Sequence, residues 1–388
     1  MSSTEWGGNY IKPTVELMKI LSTRNKLLFV NSPYTIADVF SGLRGKKKVD
    51  LKKALGLRER LVKTTLAEGA ELYILTPPLG LTINFLPKGF FYQSGLNFNA
   101  WVVRNSVKKA LKKLDMEEDL IHIVAFNPSI GLVNGRRYGE KTLIYHCYDE
   151  IRGGNAWLKK HGIWLEEAFM KIIDGVIVTS RGLFESKVKQ CATCFVVKNA
   201  VNISLFRQGF HEGRPDEQII GYIGTIDDRL DYDMLHYLFT CLPQTRFVFV
   251  GRILSQKGLA ILKKHPNVSI EGPKLPEELP AYLKTFSAGI IPFIKNTFTK
   301  GIYPMKINEY LAAGLPVIST GFGDMIEFEQ LISIGDTKET FLEHCLDEIE
   351  NDTPAKKHER LQTASQNTWV NRADEFSAAI MQVEQQLK

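Results

Sequence analysis

Short apolar runs rich in β-branched residues alternate with helical patterns along nearly the whole chain, and this alternation limits the folds that it can adopt. Eleven runs have the length and composition of buried strands. They span residues 26–30, 71–75, 120–126, 142–146, 174–180, 194–201, 218–225, 246–251, 267–272, 288–293 and 316–320. Strands that alternate with helices form mainly parallel sheets covered by helices on both faces. The sequence therefore predicts an α/β fold.

A polar segment containing Gly and Pro, FRQGFHEGRPDE at 206–217, separates the two series of strands and indicates a linker. The 388 residues are enough for two domains. We predict two doubly wound Rossmann-like domains facing a cleft, over residues 1–205 and 206–366. An amphipathic helix over 367–388 is expected to close the structure by packing back towards the N-terminal domain. Ligands of such sheets bind at the carboxyl ends of the strands.

Composition and cysteine content favour a protein of the reducing cytoplasm. No secretory segment opens the sequence, and no apolar run approaches the roughly 20 residues that span a bilayer. Five cysteines, an odd number, argue against a disulfide framework. The CATC motif at 191–194 has the spacing of zinc ligands, but it lacks a second pair or flanking histidines. We therefore expect no metal site there.

Basic residues are concentrated in the first half of the chain. Residues 1–200 carry 30 Lys and Arg against 18 Asp and Glu, whereas residues 201–388 carry 19 against 25. Basic runs lie at 44–60 and 104–113, the second after an aromatic-rich stretch at 85–103. This pattern suits a segment that dips into anionic lipid, at the inner face of the membrane. The alternative is a helix that covers the core with a solvated basic face. No nucleic-acid motif is present, so we expect no nucleic-acid partner.

The stretch GIYPMKINEYLAAGLPVIST at 301–320 predicts a loop, a helix and a buried strand. Lys306 lies in the opening turn of the helix, where free N–H groups and the helix dipole attract a phosphate. Glu309 would repel that phosphate, but it can lean back towards the helix N-terminus and accept hydrogen bonds from two hydroxyls. A ribose diol joined to a diphosphate would satisfy both residues. The alternative is an amphipathic core helix on which both charges are merely solvated.

A polar cluster follows a predicted strand in the sequence LIYHCYDEIRGG at 143–154. Asp149 is our first candidate for acting on an acceptor hydroxyl, with Glu150 second and His146 as a sugar contact. In an inverting reaction one carboxylate takes the proton, whereas in a retaining one the donor phosphate can do so while Asp149 orients the acceptor. The alternative is that Asp149 caps a helix or pairs with Arg152.

Three motifs in the second half occur in a recognisable order, GYIGTIDDRLDYDML at 221–235, EGPKLPEELPAYLKTFSAGIIPF at 271–293 and YPMKINEYLAAGLPVIST at 303–320. This arrangement resembles family 4-like glycosyltransferases of the B-type fold (GT-B). It is most similar to bacterial enzymes that build cell-surface polysaccharides, such as the TuaH-like group for teichuronic acid. The resemblance implies a hexosyltransferase that uses a nucleotide sugar, expected to be UDP-linked. The implied acceptor is a lipid-linked or polysaccharide glycan.

The same resemblance assigns the donor diphosphate to Lys306 and to the backbone near Met305, and the ribose hydroxyls to Glu309. It also implies that the backbone at Gly224 and Thr225 approaches the phosphates closely, because a side chain at this turn would block them.

Five further residues receive roles from the resemblance. Arg252 is expected to add a phosphate contact, unless it is an ordinary surface arginine, and Glu271 or its neighbouring backbone to contact the edge of uracil. Tyr303 is expected to pack nearby. Gly7 and Gly8 lie in a loop that would border the cleft, although such a pair more often marks an ordinary turn.

Two departures from the family pattern leave questions open. Many retaining relatives carry two glutamates eight positions apart, but Gly301 stands eight residues before Glu309. The sugar and the stereochemical outcome are therefore open. The usual first strand is also nearly missing.

The adjacent aspartates of IDDR at 226–229 lack the spacing of metal-dependent transferases, so we expect neither metal nor cofactor.

Two other functions compete with transfer to an acceptor. A nucleotide-sugar epimerase of the same fold would need no acceptor glycan. A non-catalytic scaffold would use the basic N-terminal face to dock on membranes or partners, and it would not need Lys306 and Glu309.

Overall fold

A computed structural model shows two compact units in the chain. It describes residues 5–7, 11–45, 49–66, 69–153 and 157–387. The chain passes from the first unit to the second between Val197 and Lys198, and it returns to the first unit between Arg372 and Ala373. The sequence predicts these changes at 205 and 366.

The first unit combines strands and helices in alternation. Its strands are β1 (Leu28–Val30), β2 (Leu61–Thr65), β3 (Glu71–Leu75), β4 (Ile121–Ala125), β5 (Thr142–Cys147), β6 (Gly175–Val178) and β7 (Cys194–Val196). Its helices before the C-terminus are α1 (Pro13–Leu21), α2 (Ile36–Leu43), α3 (Leu51–Ala54), α4 (Phe90–Lys113), α5 (Pro128–Asn134), α6 (Ile163–Phe169) and α7 (Arg181–Lys187). A π-helical turn, Leu158–Gly162, leads into α6.

The strands of the first unit form two sheets. Strands β4, β5, β6 and β7 are parallel and adjacent in that order. The other sheet has the order β1-β3-β2, and β2 runs antiparallel to β3. The sequence did not predict β2, because residues 61–65 form a partly exposed edge strand that lacks a buried apolar run. The antiparallel strand β2 is thus an addition at the edge of a mainly parallel arrangement. Strand β1 has only three residues, and α1 precedes it.

The second unit has a single sheet. Its strands are β8 (Ile219–Ile223), β9 (Arg246–Val250), β10 (Val268–Gly272), β11 (Ala288–Ile291), β12 (Val317–Ser319) and β13 (Ser333–Ile334). Its helices are α8 (Ile203–Phe206), α9 (Tyr232–Cys241), α10 (Gln256–Leu262), α11 (Leu279–Leu283), α12 (Thr297–Lys300), α13 (Met305–Ala312), α14 (Lys338–Glu350) and α15 (Pro354–Gln366). The last helix, α16 (Trp369–Gln386), begins in this unit and continues in the first.

All strands of the second sheet are parallel, in the order β10-β9-β8-β11-β12-β13. This is the doubly wound order 3-2-1-4-5-6, in which the strand order reverses between the first and fourth strands. Every residue of β8, β11 and β12 is buried, as expected for parallel strands covered on both faces. The reversal falls between β8 and β11, so a ligand site is expected at their carboxyl ends.

From Ala373 onwards, α16 packs on the central strands of the first unit. Glu384 accepts a hydrogen bond from the Thr142 hydroxyl (3.1 Å) and pairs with Lys141 (3.3 Å). A Cβ at Gly175 in β6 would lie 2.6 Å from Val383. The helix thus contacts β5 and β6 through both polar and apolar side chains.

Candidate functional site

Two glycines form the turns at the carboxyl ends of β8 and β9. Gly224 and Gly251 have φ of +153° and +152°. The Gly224 N–H donates to the carbonyl of Val250 (2.8 Å), and a Cβ at Gly251 would lie only 1.9 Å from the Gly224 carbonyl oxygen. The two turns therefore pack backbone against backbone, and only glycine satisfies both the space and the dihedral angles.

Lys306, in the first turn of α13, lies directly against the Gly224 turn. A Cβ at Gly224 would meet the Lys306 Cε at 2.2 Å. The Lys306 Nζ lies 5.7 Å from the ring centroid of Tyr222 and 5.6 Å from that of Phe293. From the sequence we explain Gly224 by the phosphates, which a side chain at this turn would block. The structure adds a second reason, which is that the lysine side chain occupies the space.

Arg229 belongs to the same cluster, and sequence reasoning missed it. Its guanidinium donates to both carboxylate oxygens of Asp227 (2.9 and 2.7 Å) and lies 5.1 Å from the centroid of Phe293. Backbone hydrogen bonds from Asp231 to Pro292 (2.7 Å) and from residue 294 to Arg229 (2.8 Å) hold this loop against the end of β11. Two cations, Lys306 and Arg229, therefore share one aromatic ring at the switch point of the sheet.

In the free protein, burial and the neighbouring charges shift the pKa values of Lys306 and Glu309. Burial, and next the positive charge of Arg229, lower the pKa of Lys306 to about 8. Burial raises the pKa of Glu309, which lies one turn further along α13, and Lys306 counters that rise. The positive charge of Arg229 adds to the effect of burial on Lys306, and an anion bound beside the two cations would relieve their repulsion. The arrangement therefore favours an anionic ligand.

The N-terminus of α13 adds to this preference. Pro304 stands at the N-cap, and no side chain caps the helix. The Met305 N–H donates to the carbonyl of Tyr303 (3.0 Å), whereas the helix dipole still places partial positive charge at this end. Lys306, whose side chain contacts the Gly224 turn, belongs to the first turn of this helix.

Two of the other predicted donor residues lie near the ends of strands of the same sheet. Arg252 is exposed and directly follows Gly251, and Glu271 lies at the end of β10, where it accepts a hydrogen bond from the Tyr282 hydroxyl (3.4 Å). Both therefore lie at the same edge of the sheet as Gly224, because β10, β9 and β8 are parallel neighbours. The carbonyl of Thr225 accepts a hydrogen bond from the Tyr222 hydroxyl (2.9 Å), which fixes the turn.

Tyr303, also predicted to lie near the donor, has its hydroxyl bonded within the protein. It is buried, its hydroxyl accepts hydrogen bonds from Asn308 (3.1 Å) and Asn367 (3.0 Å), and it donates to Glu327. Burial and the Glu327 carboxylate raise its pKa. These contacts give Tyr303 a structural role, because its polar atom is fully engaged within the protein. Gly301, which takes the place of the family's first glutamate, is also buried.

In the first unit, Asp149 lies two residues beyond the end of β5 and is partly exposed. Glu150 is buried, accepts a hydrogen bond from the Arg152 N–H (3.1 Å) and lies 3.7 Å from the Lys187 ammonium. Lys187 also pairs with Glu166 at 2.7 Å. Our second catalytic candidate, Glu150, is therefore a member of a buried ion network and not an exposed side chain beyond the strand.

His146 and Gly7 complete the predicted residues. His146 is buried between the rings of Tyr148 (5.6 Å) and Phe376 (5.2 Å), and burial lowers its pKa to about 4. Because its ring is enclosed, a direct sugar contact is not available to it in this conformation. Gly7 is exposed with φ of +86°, and its carbonyl accepts a hydrogen bond from Lys12 (2.5 Å). Gly8 lies outside the described residues.

No group of three His, Cys, Asp or Glu side chains that could hold a metal ion occurs within the described part of the chain. Cys191 and Cys194 are free, and burial raises the pKa of both thiols. The carboxylate of Asp227 is engaged by Arg229. Independence from metals and cofactors remains a prediction.

Sequence comparison places the second unit in a known family. Residues 217–351 match the family model described as Glycosyl transferases group 1. Over 134 residues the chain is 31% identical to TuaH of Bacillus subtilis, which is named as a teichuronic acid biosynthesis glycosyltransferase. That alignment covers 32% of this chain and 33% of TuaH, so it spans about a third of the curated relative. Both matches are partial, and the family model lies within the second unit.

Structural comparison extends to nearly the whole chain. Sucrose-phosphate synthase from Thermosynechococcus elongatus superposes with a TM-score of 0.62 at 14% identity, covering 92% of this chain and 99% of the other. HepE from Anabaena, solved with UDP and glucose, gives a TM-score of 0.61 at 14% identity, with 98% of each chain covered. At these identities the comparison shows the fold alone. The predicted GT-B fold with two Rossmann-like domains is confirmed, as is the predicted resemblance.

Proposed function

We propose that the protein is a glycosyltransferase that moves a sugar from a UDP-linked donor to a glycan of the cell surface. The observation that carries this proposal is the pairing of Lys306 and Arg229 over Phe293, beside Gly224, at the switch point of a group 1 domain. The structure of HepE with UDP and glucose and the name of TuaH support the choice of donor and pathway class.

In the proposed reaction, the donor diphosphate lies against Lys306, Arg229 and the N-terminus of α13. Negative charge develops on the diphosphate as the bond to the sugar breaks. Fixed positive groups that meet this charge lower the barrier, and no metal is needed for that role. Glu309 accepts hydrogen bonds from the ribose hydroxyls, and Gly224 leaves room for the phosphates.

Binding of the free nucleotide tests the donor site. Calorimetry with UDP should show binding by the wild type, a loss of at least about tenfold in affinity for Lys306→Ala, and no change for Lys263→Ala, an exposed lysine of the same unit. Absence of nucleotide binding by the wild type would favour the scaffold function. Consumption of a UDP-sugar without any acceptor would favour the epimerase.

On the acceptor side, we propose that Asp149 contacts the hydroxyl that attacks the sugar. It is the carboxylate of the 143–154 cluster that remains partly exposed after Glu150 is assigned to the buried network. Whether Asp149 accepts a proton or only orients the acceptor depends on the stereochemistry. The anomeric configuration of the product, determined by NMR, separates inversion from retention.

We also propose that helix α4 docks the protein on anionic lipid, where a lipid-linked acceptor would be presented. Its N-terminal half exposes Phe90 (79%), Phe91 (77%) and Trp101 (51%), and Phe85 just before it is 70% exposed. The C-terminal half exposes a group of lysines, Lys108, Lys109, Lys112 and Lys113. Aromatic side chains partition into the lipid interface and lysines bind anionic head groups. No helix of the described residues is long and apolar enough to cross a membrane.

Liposome flotation tests this docking surface. The wild type should float with vesicles containing anionic lipid, and less so at high salt, because screening weakens attraction between lysines and head groups. The double variant Phe90→Ser/Phe91→Ser should lose most of this binding. Ile326→Ser, at another exposed apolar residue in the second unit, serves as the control and should behave like the wild type. Flotation that is equal for all three proteins would contradict the proposal.

A further inference from the structure

A cavity of about 570 Å³ lies in the first unit, apart from the proposed donor site. It is bordered by β1 and β4, which are edge strands of two separate sheets, and by α1 and α16. Its volume falls in the usual range of small-molecule sites, which is roughly 300–1,000 Å³. The lining is predominantly apolar and includes Met18, Leu28, Val30, Ile121, Ile123 and Ile380.

Three buried polar atoms of the lining residues have no partner among the described residues. They are the Thr14 hydroxyl oxygen, the His122 Nε2 and the Tyr138 hydroxyl oxygen. Thr14 is 3% exposed and His122 is 7% exposed. A buried polar atom without a hydrogen bond is unfavourable, so native proteins supply partners for nearly all such atoms. A ligand in the cavity would supply them here.

The tautomer of His122 determines what this ligand must offer. The His122 Nδ1 lies 3.0 Å from the Glu140 carboxylate, which also accepts hydrogen bonds from the N–H groups of Arg136 (2.7 Å) and Tyr138 (2.9 Å). Burial alone would raise the pKa of Glu140, but these hydrogen bonds lower it to about 2. Burial also lowers the pKa of His122. Because the ionised carboxylate only accepts, the proton of the neutral ring lies on Nδ1, and Nε2 is left as an acceptor.

Charges at the cavity select against anions. Asp115, Glu118, Asp119 and Glu384 all line it. Glu384 is paired with Lys141, and the ammonium of Lys26, which donates to the carbonyl of Leu114, remains positively charged. The three exposed carboxylates outnumber this one cation, so the net charge at the cavity disfavours a fatty acid or a phosphate ester.

We propose that this cavity binds a neutral amphiphile, a long-chain alcohol or an equivalent apolar molecule that carries one hydroxyl or N–H donor. The donor group would bond to the His122 Nε2, the Thr14 hydroxyl would complete the polar contact, and the chain would lie along the residues of β1 and β4. This site is independent of the donor site.

Fluorescence of N-phenyl-1-naphthylamine, a neutral apolar probe with one N–H, tests the proposal on the full chain. Its emission should rise on binding to the wild type. Competition by 1-decanol should be at least about tenfold more effective than competition by decanoate, since the two differ at the head group alone. The variant Thr14→Val, of equal size, should weaken competition by 1-decanol about fivefold, because the decanol oxygen loses the one hydrogen bond that it accepts from Thr14.

Two further variants test whether the probe binds in the cavity and not elsewhere on the surface. Ile121→Trp, at a partly exposed position of the lining, should fill the cavity and abolish probe binding without removing a buried polar group. Phe40→Ser, at an exposed apolar residue of α2 outside the lining, should leave probe binding unchanged. The proposal would be overturned if the wild type failed to bind the probe, as expected for a cavity filled with water only. Equal competition by decanol and decanoate, or full binding by Ile121→Trp, would also overturn it.

Discussion

Replacing Lys306 by methionine should make the free protein more stable while removing its affinity for UDP. The folded protein lowers the pKa of Lys306 from 10.5 to about 8. A difference of about 2.5 pKa units corresponds to about 3 kcal/mol at 1.36 kcal/mol per unit, which is the free energy that the charged lysine costs the folded state at neutral pH. Methionine keeps a flexible apolar stem against Gly224 and carries no charge. We therefore expect a gain of up to about 3 kcal/mol at pH 7.

The sign of the effect follows from proton linkage. Between pH 8 and pH 10.5 the unfolded lysine holds a proton that the folded lysine has released, so wild-type stability rises with pH in this window. The advantage of Lys306→Met should be greatest below pH 8 and should disappear as the pH approaches 10.5. For a unit of this size each kcal/mol moves the melting temperature by about 2–4 °C.

Differential scanning calorimetry of wild type, Lys306→Met and the control Lys263→Met, at several pH values between 7 and 10, measures this effect. Only the Lys306 variant should melt higher than the wild type at pH 7, and calorimetric titration should show that it has lost UDP binding. A Lys306→Met protein that melts lower than the wild type at pH 7, or that shows the same pH dependence, would refute the reasoning. Unchanged affinity for UDP would remove Lys306 from the donor site.

Further substitutions test the remaining assignments. Glu309→Ala should abolish most transfer and leave the circular dichroism spectrum unchanged, and near-normal turnover would remove Glu309 from the site. Asp149→Asn should lower kcat without weakening UDP binding, whereas unchanged kinetics would exclude a catalytic role. Glu150→Gln should lower the free energy of unfolding in urea by about 1–3 kcal/mol through the buried Lys187, and an unaffected midpoint would contradict this network. Gly224→Ala should weaken UDP binding as much as Lys306→Ala does, since its Cβ would displace the lysine, and wild-type affinity would show that the turn tolerates a side chain.

The sequence predicted the parts of the fold that depend on local pattern. Strands β5 and β8 consist of consecutive buried and mostly apolar residues, so their positions could be read from composition. Strand β2 could not, because it is a polar edge strand whose pairing with β3 depends on the tertiary structure. Lys306 and Glu309 were also accessible to sequence reasoning, because residues three apart on a helix share a face.

The missed features of the site depend on contacts between distant parts of the chain. Arg229 and Phe293 are 64 positions apart, and the doubly wound topology brings them together at adjacent strand ends. Likewise, the carboxylate of Glu150 lies beside the ammonium of Lys187, which belongs to α7. A sequence pattern shows that a carboxylate follows a strand, but not whether a distant lysine neutralises it. Position in the fold is therefore easier to predict than the electrostatic state of a side chain.

The charges around Phe293 explain how the cluster can be stable in the free protein and still bind an anion. Lys306 and Arg229 repel each other, and the contact of Arg229 with Asp227 reduces this repulsion while it holds the guanidinium in place. Glu309 and Asp227 both raise the pKa of Lys306, but they do not offset burial and the repulsion by Arg229, so this pKa remains low. The cluster thus keeps one positive charge that the protein leaves incompletely compensated. A diphosphate supplies the missing negative charge, so the free energy that Lys306 costs the free protein becomes binding free energy for the nucleotide.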